Sequence, residues 1–251
     1  MDAGRVAEAI SNWLRGKVEQ AGCRGMVFGL SGGLDSAVVG ALCKRAMPDG
    51  CLGLIMPCHS DPSDVRDAIA VANAFNLTVE TVDLGKVYDE HLANLSAHLA
   101  SAGLSSDDAQ RRLAEANLKP RLRMTTLYYF ANSLKYVVVG TGNRSELTVG
   151  YFTKYGDGGV DLLPIGGLVK TQVRQLAQHL GVPEVVIEKA PSAGLWAGQT
   201  DEGEMGVTYP ELDRYILTGE ASGEVRKRVD RMHRAAEHKL RLPEIPELPL
   251  S

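Results

Sequence analysis

The chain is short of the groups that would announce a metal centre, a redox pair or a membrane span. Its four cysteines, Cys23, Cys43, Cys51 and Cys58, all lie in the first quarter and form no CxxC. A zinc site needs paired donors at short spacing, so none is expected, and Cys58-His59 reads as a loop at a strand end. Buried, reduced thiols are the simpler reading. No window approaches the ~20 apolar residues of a membrane-spanning helix. The opening "MDAGRVAEAISNWLRGKVEQ" has early acidic residues and no apolar core, so it is not a signal peptide. A soluble, cytoplasmic protein is expected. Neither sign of charge dominates, because 27 basic and 31 acidic residues leave a net −4. That balance argues against nucleic acid as a main partner. Repeats, low-complexity tracts and linkers are also missing, so one domain over residues 1–251 is expected.

Apolar periodicity is what the chain has in quantity. Val6, Ile10, Trp13, Leu14 and Val18 recur at helical spacing and predict an opening amphipathic helix. A strand at 26–30, a glycine loop and a helix at about 34–45 follow. "CLGLIMP" is a second buried strand ended by Pro57. Asp61-Pro62 starts a helix running to about Phe75, since aspartate accepts from free amides and proline needs none of its own. "LTVETVDL" reads as a third strand and 136–140 as a fourth. Leu122, Leu127, Phe130 and Leu134 mark one face of a helix that Pro120 starts or kinks, with Asn117 before or at its first turn. The segment 86–113 carries no assignable role. "GGLVKTQVRQLAQHLGVP" is a helix with a glycine stop. "PSAGLWAGQTDEGEMGVTYPE" reads as a long loop before two C-terminal helices. Alternating strands and helices imply an α/β fold, a doubly wound parallel sheet with helices on both faces.

The first strand leads through "GLSGGLDSAVVGAL" into a helix. A glycine turn there presents free amides at the positive end of a helix, which is an anion site. Neither GxxxxGK[ST] nor a complete GxGxxG occurs in the chain. The loop therefore has no lysine, and a bound phosphate needs its counter-charge from elsewhere. The plain alternative is a glycine turn in which Asp35 and Ser36 merely favour a helix start.

Ser31-Gly32-Gly33-Leu34-Asp35-Ser36 resembles the SGGxDS signature of the ATP pyrophosphatase superfamily, enzymes of Rossmann-like fold that cleave ATP between its α and β phosphates. Asp35 would repel phosphate unless a cation lay between, and magnesium bridging Asp35, Glu146 and phosphate resolves this. "NLKPRLRMTTLYYFAN", "GTGNRSELTVGYFTKYGDGGVDLLPIGGLVKTQVRQLA" and "KAPSAGLWAGQTDEGEMGVTYPELD" are similar to the NAD synthetase family, in order and over nearly the whole chain. The resemblance implies ATP as co-substrate, adenylation of deamido-NAD (nicotinic acid adenine dinucleotide), and displacement of AMP by ammonia to give NAD. No room exists for a glutaminase domain, so free ammonia is the expected nitrogen source, and a homodimer is implied.

By the same resemblance Asp35 and Glu146 are magnesium ligands. Gly29, Leu30, Ser31, Gly32, Gly33, Leu34, Asp35, Ser36, Thr141, Lys170 and Ser192 are expected at ATP. Arg121, Lys154, Asp161, His238 and Lys239 are expected at deamido-NAD. Read without the resemblance, Arg121, Lys170 and His238 are surface charges, Lys154 covers an aromatic surface and Asp161 sits in a turn. No protein nucleophile is called for; Asp35 and Lys170 serve positioning and charge. The loop 190–206 is expected to close over the acyl-adenylate and exclude water. The alternatives are another amidating ATP pyrophosphatase and a nucleotide-binding module without turnover.

Overall fold

A computed structural model describes residues 1–192, Gly194, Trp196 and residues 199–248. Helix α1 (Ala3–Gln20) precedes strand β1 (Gly25–Gly29), helix α2 (Leu34–Ala46), strand β2 (Cys51–Ile55), helix α3 (Pro62–Ala74) and strand β3 (Val79–Thr81). Helices α4 (Gly85–Ser101) and α5 (Asp108–Leu134) lead to strand β4 (Tyr136–Val139) and helix α6 (Arg144–Val149). Helices α7 (Lys170–Leu180), α8 (Glu184–Ile187), α9 (Asp201–Met205), α10 (Tyr209–Thr218) and α11 (Gly223–Leu240) complete the described chain.

The four strands are parallel in the order β3-β2-β1-β4. Chain direction across the sheet reverses between β1 and β4. In such sheets the crevice beyond the carboxyl ends of those two strands is open for a ligand. Strand side chains alternate faces as the pleat requires. Met26, Phe28, Val137 and Val139 enter a core with α1, α2 and α7. Val27, Leu52, Leu54 and Val138 enter a second core with Leu127 and Ala131 of α5. Two glycines admit the Phe28 ring: a Cβ on Gly40 would lie 3.1 Å from it, and one on Gly53 3.3 Å. A third cluster joins Val149 of α6 to Met205, Leu212 and Val229 of the last three helices.

The alternation of strand and helix agrees with the expected doubly wound sheet, and Asp61 caps α3 by accepting from Ser63 N–H at 2.7 Å. Four expectations need correction. Pro120 does not start its helix, and Asn117 lies well inside α5, which Asp107 caps thirteen residues before Pro120. Pro120 is buried beside Gly156, where a Cβ would sit 3.1 Å from its ring; tertiary packing offsets the missing amide bond. Trp13 is 41% exposed, because Ala7, Ser11, Leu14 and Val18 form the buried stripe of α1. The supposed long loop contains the short helix α9, capped by Thr200, and "LTVETVDL" contributes only three strand residues. The unassigned stretch 86–113 is the bulk of α4 and the start of α5. All four cysteines are free, and Cys43, Cys51 and Cys58 are buried. No described helix is long and apolar enough to cross a membrane.

The C-terminal helices are fastened through Gly150, the left-handed stop of α6 at φ +67°. A Cβ there would meet Ala236 of α11 at 2.0 Å. Gly150→Ala is expected to cost about 2–4 kcal/mol, combining left-handed strain with overpacking. Urea unfolding of the variant checks this, the midpoint falling while the slope stays constant.

Candidate active site

The loop after β1 is built around two serines. The Ser31 N–H donates to Ser36 Oγ at 3.2 Å, the two hydroxyls lie 3.0 Å apart, and Ser36 Oγ donates to the Gly33 carbonyl at 2.9 Å. Gly32 adopts φ +81°, and a Cβ there would lie 2.2 Å from the Asp64 carbonyl oxygen. Only glycine fits this turn against α3. Gly33 is the N-cap of α2 and offers no side-chain acceptor, so the first amides of a thirteen-residue helix are left for an anion.

Asp35, in the first turn of α2, faces the loop after β4. There Asn143 and Glu146 form a reciprocal capping box that starts α6, with Glu146 N–H donating to Asn143 Oδ1 at 3.0 Å. The remaining Asn143 amide donates to Asp35 Oδ1 at 3.1 Å. Lys170, the first residue of α7, places its ammonium between the two acids, ion-paired with Asp35 and 3.4 Å from Glu146 Oε1. The lysine is buried, and its Nζ lies 5.0 Å from the centre of the Tyr209 ring. The Tyr209 hydroxyl donates to Asp201 Oδ2 at 3.0 Å, while Asp201 Oδ1 is buried without a hydrogen-bond partner among the described residues.

Three acids thus gather about one lysine. Burial pushes the Glu146 carboxyl up to about 8, Asp35 pushes the same way, and Lys170 opposes them. Burial works against the Lys170 charge, but Asp35 and Glu146 outweigh it, so its pKa is raised. Burial also raises the Asp201 carboxyl. This surplus of buried negative charge fits a divalent cation. Asp35 and Glu146 offer hard oxygens, and magnesium takes one or two carboxylates with phosphate and water. No group of three or more metal-ligating side chains occurs among the described residues.

A cavity of about 610 Å³ opens from this cluster. Gly29, Leu30, Ser31, Gly33, Leu34, Asp35, Ser36, Thr141, Glu146, Lys170 and Ser192 line it, and so does Lys239. Gly32 shapes the loop from behind. Sequence reasoning missed Arg123, also in the lining, whose guanidinium donates to the Met56 carbonyl at 3.1 Å and to Ser60 Oγ at 3.3 Å. It missed Asn143 and Asp201 as well. Asn143 is a recognisable cap in "GTGNRSE", but only folding brings it to Asp35.

Arg121, Lys154, Asp161 and His238 do not line the cavity. Arg121 lies 3.4 Å from the Lys154 carbonyl, and Lys154 Nζ donates to the His238 carbonyl at 2.7 Å. These three form a group on the outer side of α5 and α11. Asp161 stands apart, accepting from the Tyr128 hydroxyl at 2.9 Å and Val138 N–H at 2.8 Å. Lys239 donates to the Gly150 and Phe152 carbonyls at 2.7 and 2.8 Å. Of the expected lid at 190–206, Ala193, Leu195, Ala197 and Gly198 lie outside the described residues. Within the rest, Trp196 carries the Arg112 guanidinium 4.6 Å from its ring centre.

The family model for NAD synthase matches residues 6–243. The chain belongs to the NAD synthase family. This places it among ligases that form a C–N bond, using ATP and ammonia with a nicotinate nucleotide. It is 54% identical over 241 residues to the NH3-dependent NAD+ synthetase of Carboxydothermus hydrogenoformans, covering 96% of each chain. Among solved structures it resembles an NMN synthetase from Francisella tularensis, with TM-score 0.91, 34% identity and coverage of 99% and 100%. It also resembles the NH3-dependent NAD synthetase of Campylobacter jejuni, with TM-score 0.77, 29% identity and coverage of 98% and 100%.

The raised Glu146 pKa sets a pH signature for this NAD synthase without substrates. Its folded-state value of about 8 lies above the ordinary 4.5, so the native state binds the extra proton between those limits. Its contribution to stability is full below pH about 4.5 and is lost as pH rises through about 8. Thermal unfolding across that window should show Glu146→Gln removing the downward slope relative to the parent protein. A parallel pair of profiles would show that Glu146 is ionised throughout.

Proposed function

We propose that this chain is an ammonia-dependent NAD synthetase acting on deamido-NAD. The observation that carries the reading is the Asp35–Lys170–Glu146 cluster facing an uncapped helix N-terminus at the β1–β4 crevice, in a chain of this family. A nicotinate carboxylate oxygen attacks the α phosphorus of ATP, forming an acyl-phosphate bond while the bond to pyrophosphate breaks. Ammonia then attacks the acyl carbon, AMP departs and the surplus proton leaves with solvent, giving NAD. The loop amides with Ser31 and Ser36 grip the phosphates, and Lys170 offsets the charge that accumulates on the departing pyrophosphate. Thr141 and Ser192, both in the cavity lining, complete the ATP contacts. Magnesium held by Asp35 and Glu146 would supply further charge neutralisation.

Arg121, Lys154, His238 and Lys239, with Asp161, are the proposed deamido-NAD contacts. Arg121, Lys154 and His238 lie outside the single-chain cavity, which supports a substrate site completed by a second copy in a homodimer. Exposed Leu95, Leu99, Leu113 and Tyr129 on α4 and α5 give such a copy apolar surface. A single catalytic domain in the cytoplasm fits this reading. The 0.91 TM-score to an NMN synthetase favours a second acceptor, nicotinate mononucleotide, which carries the same reacting carboxylate.

Purified protein with Mg-ATP, ammonium and each acceptor in turn decides between them. Stoichiometric NAD, AMP and pyrophosphate from deamido-NAD, at the higher kcat/KM, is the expected outcome. Preference for the mononucleotide would move the substrate, and pyrophosphate without either amide would move the acceptor class. Lys170→Met should lower kcat by about two to three orders of magnitude, the range for removing one preorganised transition-state charge.

A further inference from the structure

Lys170 stands where an α-helix least tolerates a cation. It is the first residue of α7, and the macrodipole there is positive. Its N-cap is Val169, which supplies no side-chain acceptor for the amides behind it. Yet those amides are satisfied from another element. Asp213 of α10, only 2% exposed, accepts from Thr171 N–H through Oδ2 at 2.7 Å. Its Oδ1 accepts from the Ser145 hydroxyl at 2.5 Å, and Ser145 Oγ accepts from Lys170 N–H at 3.0 Å. Ser145 is fully buried and immediately precedes Glu146.

We infer that Asp213 is the positioning residue of this active site, fixing Lys170 and Glu146 relative to one another through Ser145 and the start of α7. One carboxylate does two things there. It replaces the cap that Val169 lacks, and it sets negative charge beneath the lysine while Asp35 and Glu146 face its ammonium. Because Ser145 and Glu146 are adjacent on α6, the carboxylate whose Oδ2 orders α7 also orders the acid opposite Lys170, through Oδ1 and Ser145. Asp213 does not line the cavity, nor do its hydrogen-bond partners Ser145 and Thr171. Its chain position, more than forty residues beyond Lys170, lets the C-terminal helices set the register of the phosphate site.

The inference rests on the synthetase reading, and its test separates the two. Asp213→Asn keeps size and one acceptor but loses the charge and the second acceptor. It is compared with the parent in two backgrounds, native and Lys170→Met, by single-turnover kcat, KM for both substrates and thermal unfolding. Expected is a loss of about tenfold in kcat in the native background, with KM for the nicotinate nucleotide within twofold. In the Lys170→Met background the loss shrinks to below about twofold, because the residue acts through that lysine. Equal losses in both backgrounds, or a lower unfolding temperature with unchanged kcat, would overturn the role. If Asp213→Asn does not fold, Ser145→Ala is read in the same pair of backgrounds against the same criteria. A parent protein that makes no amide at all counts against the synthetase reading instead.

Discussion

Lys170 puts a buried positive charge at the N-terminus of a helix, and that charge is held because Asp35 and Glu146 close around it. Breaking such a contact by removing one partner leaves an uncompensated charge in a poorly solvated place. Much of the surrounding structure serves this one balance. Asn143 spends its side-chain oxygen on capping α6 and its amide on orienting Asp35. Tyr209 offers its ring to the ammonium and its hydroxyl to Asp201. Burial, reinforced by the Asp35 charge and only partly opposed by Lys170, holds the Glu146 carboxyl well above its ordinary pKa.

The glycine loop becomes intelligible beside that cluster. Common phosphate loops carry their own lysine, and this one has none. Its amides provide directed hydrogen bonds but little net charge. The balancing cation comes from α7, 135 residues further along the chain. Separating grip from charge lets the loop pack tightly: Gly32 lies against the Asp64 carbonyl at a distance that no side chain permits. A lysine on the loop itself would compete for that space.

The C-terminal helices have their own apolar cluster, and they also close the site. They meet the sheet domain through α6 and α7, the two elements that carry Glu146 and Lys170. Asp201, Tyr209 and Asp213 all come from this late part of the chain. Lys239 reaches back from α11 to the carbonyls that follow α6. Stability of that packing and geometry of the site are therefore the same problem, and Gly150 is where they meet.

Periodicity alone was enough for the parallel sheet and most helix positions, since β-branched runs and capping residues such as Asp61 act over a few neighbours. The phosphate loop was legible for the same reason: its glycines answer a local backbone demand. Pro120 is not legible in this way, because its penalty is local while its compensation, packing against Gly156, is not. The pairing of Asp35 with Glu146 could be suspected from motifs, but the lysine between them could not be derived from spacing. Arg123 and Asp213 carry no signature either, and Asn143 is legible only as a helix cap, for its contact with Asp35 spans 108 residues. Local conformational preference belongs to the sequence. The placement of buried charge, which depends on desolvation and on every neighbour at once, was decided only by the tertiary structure.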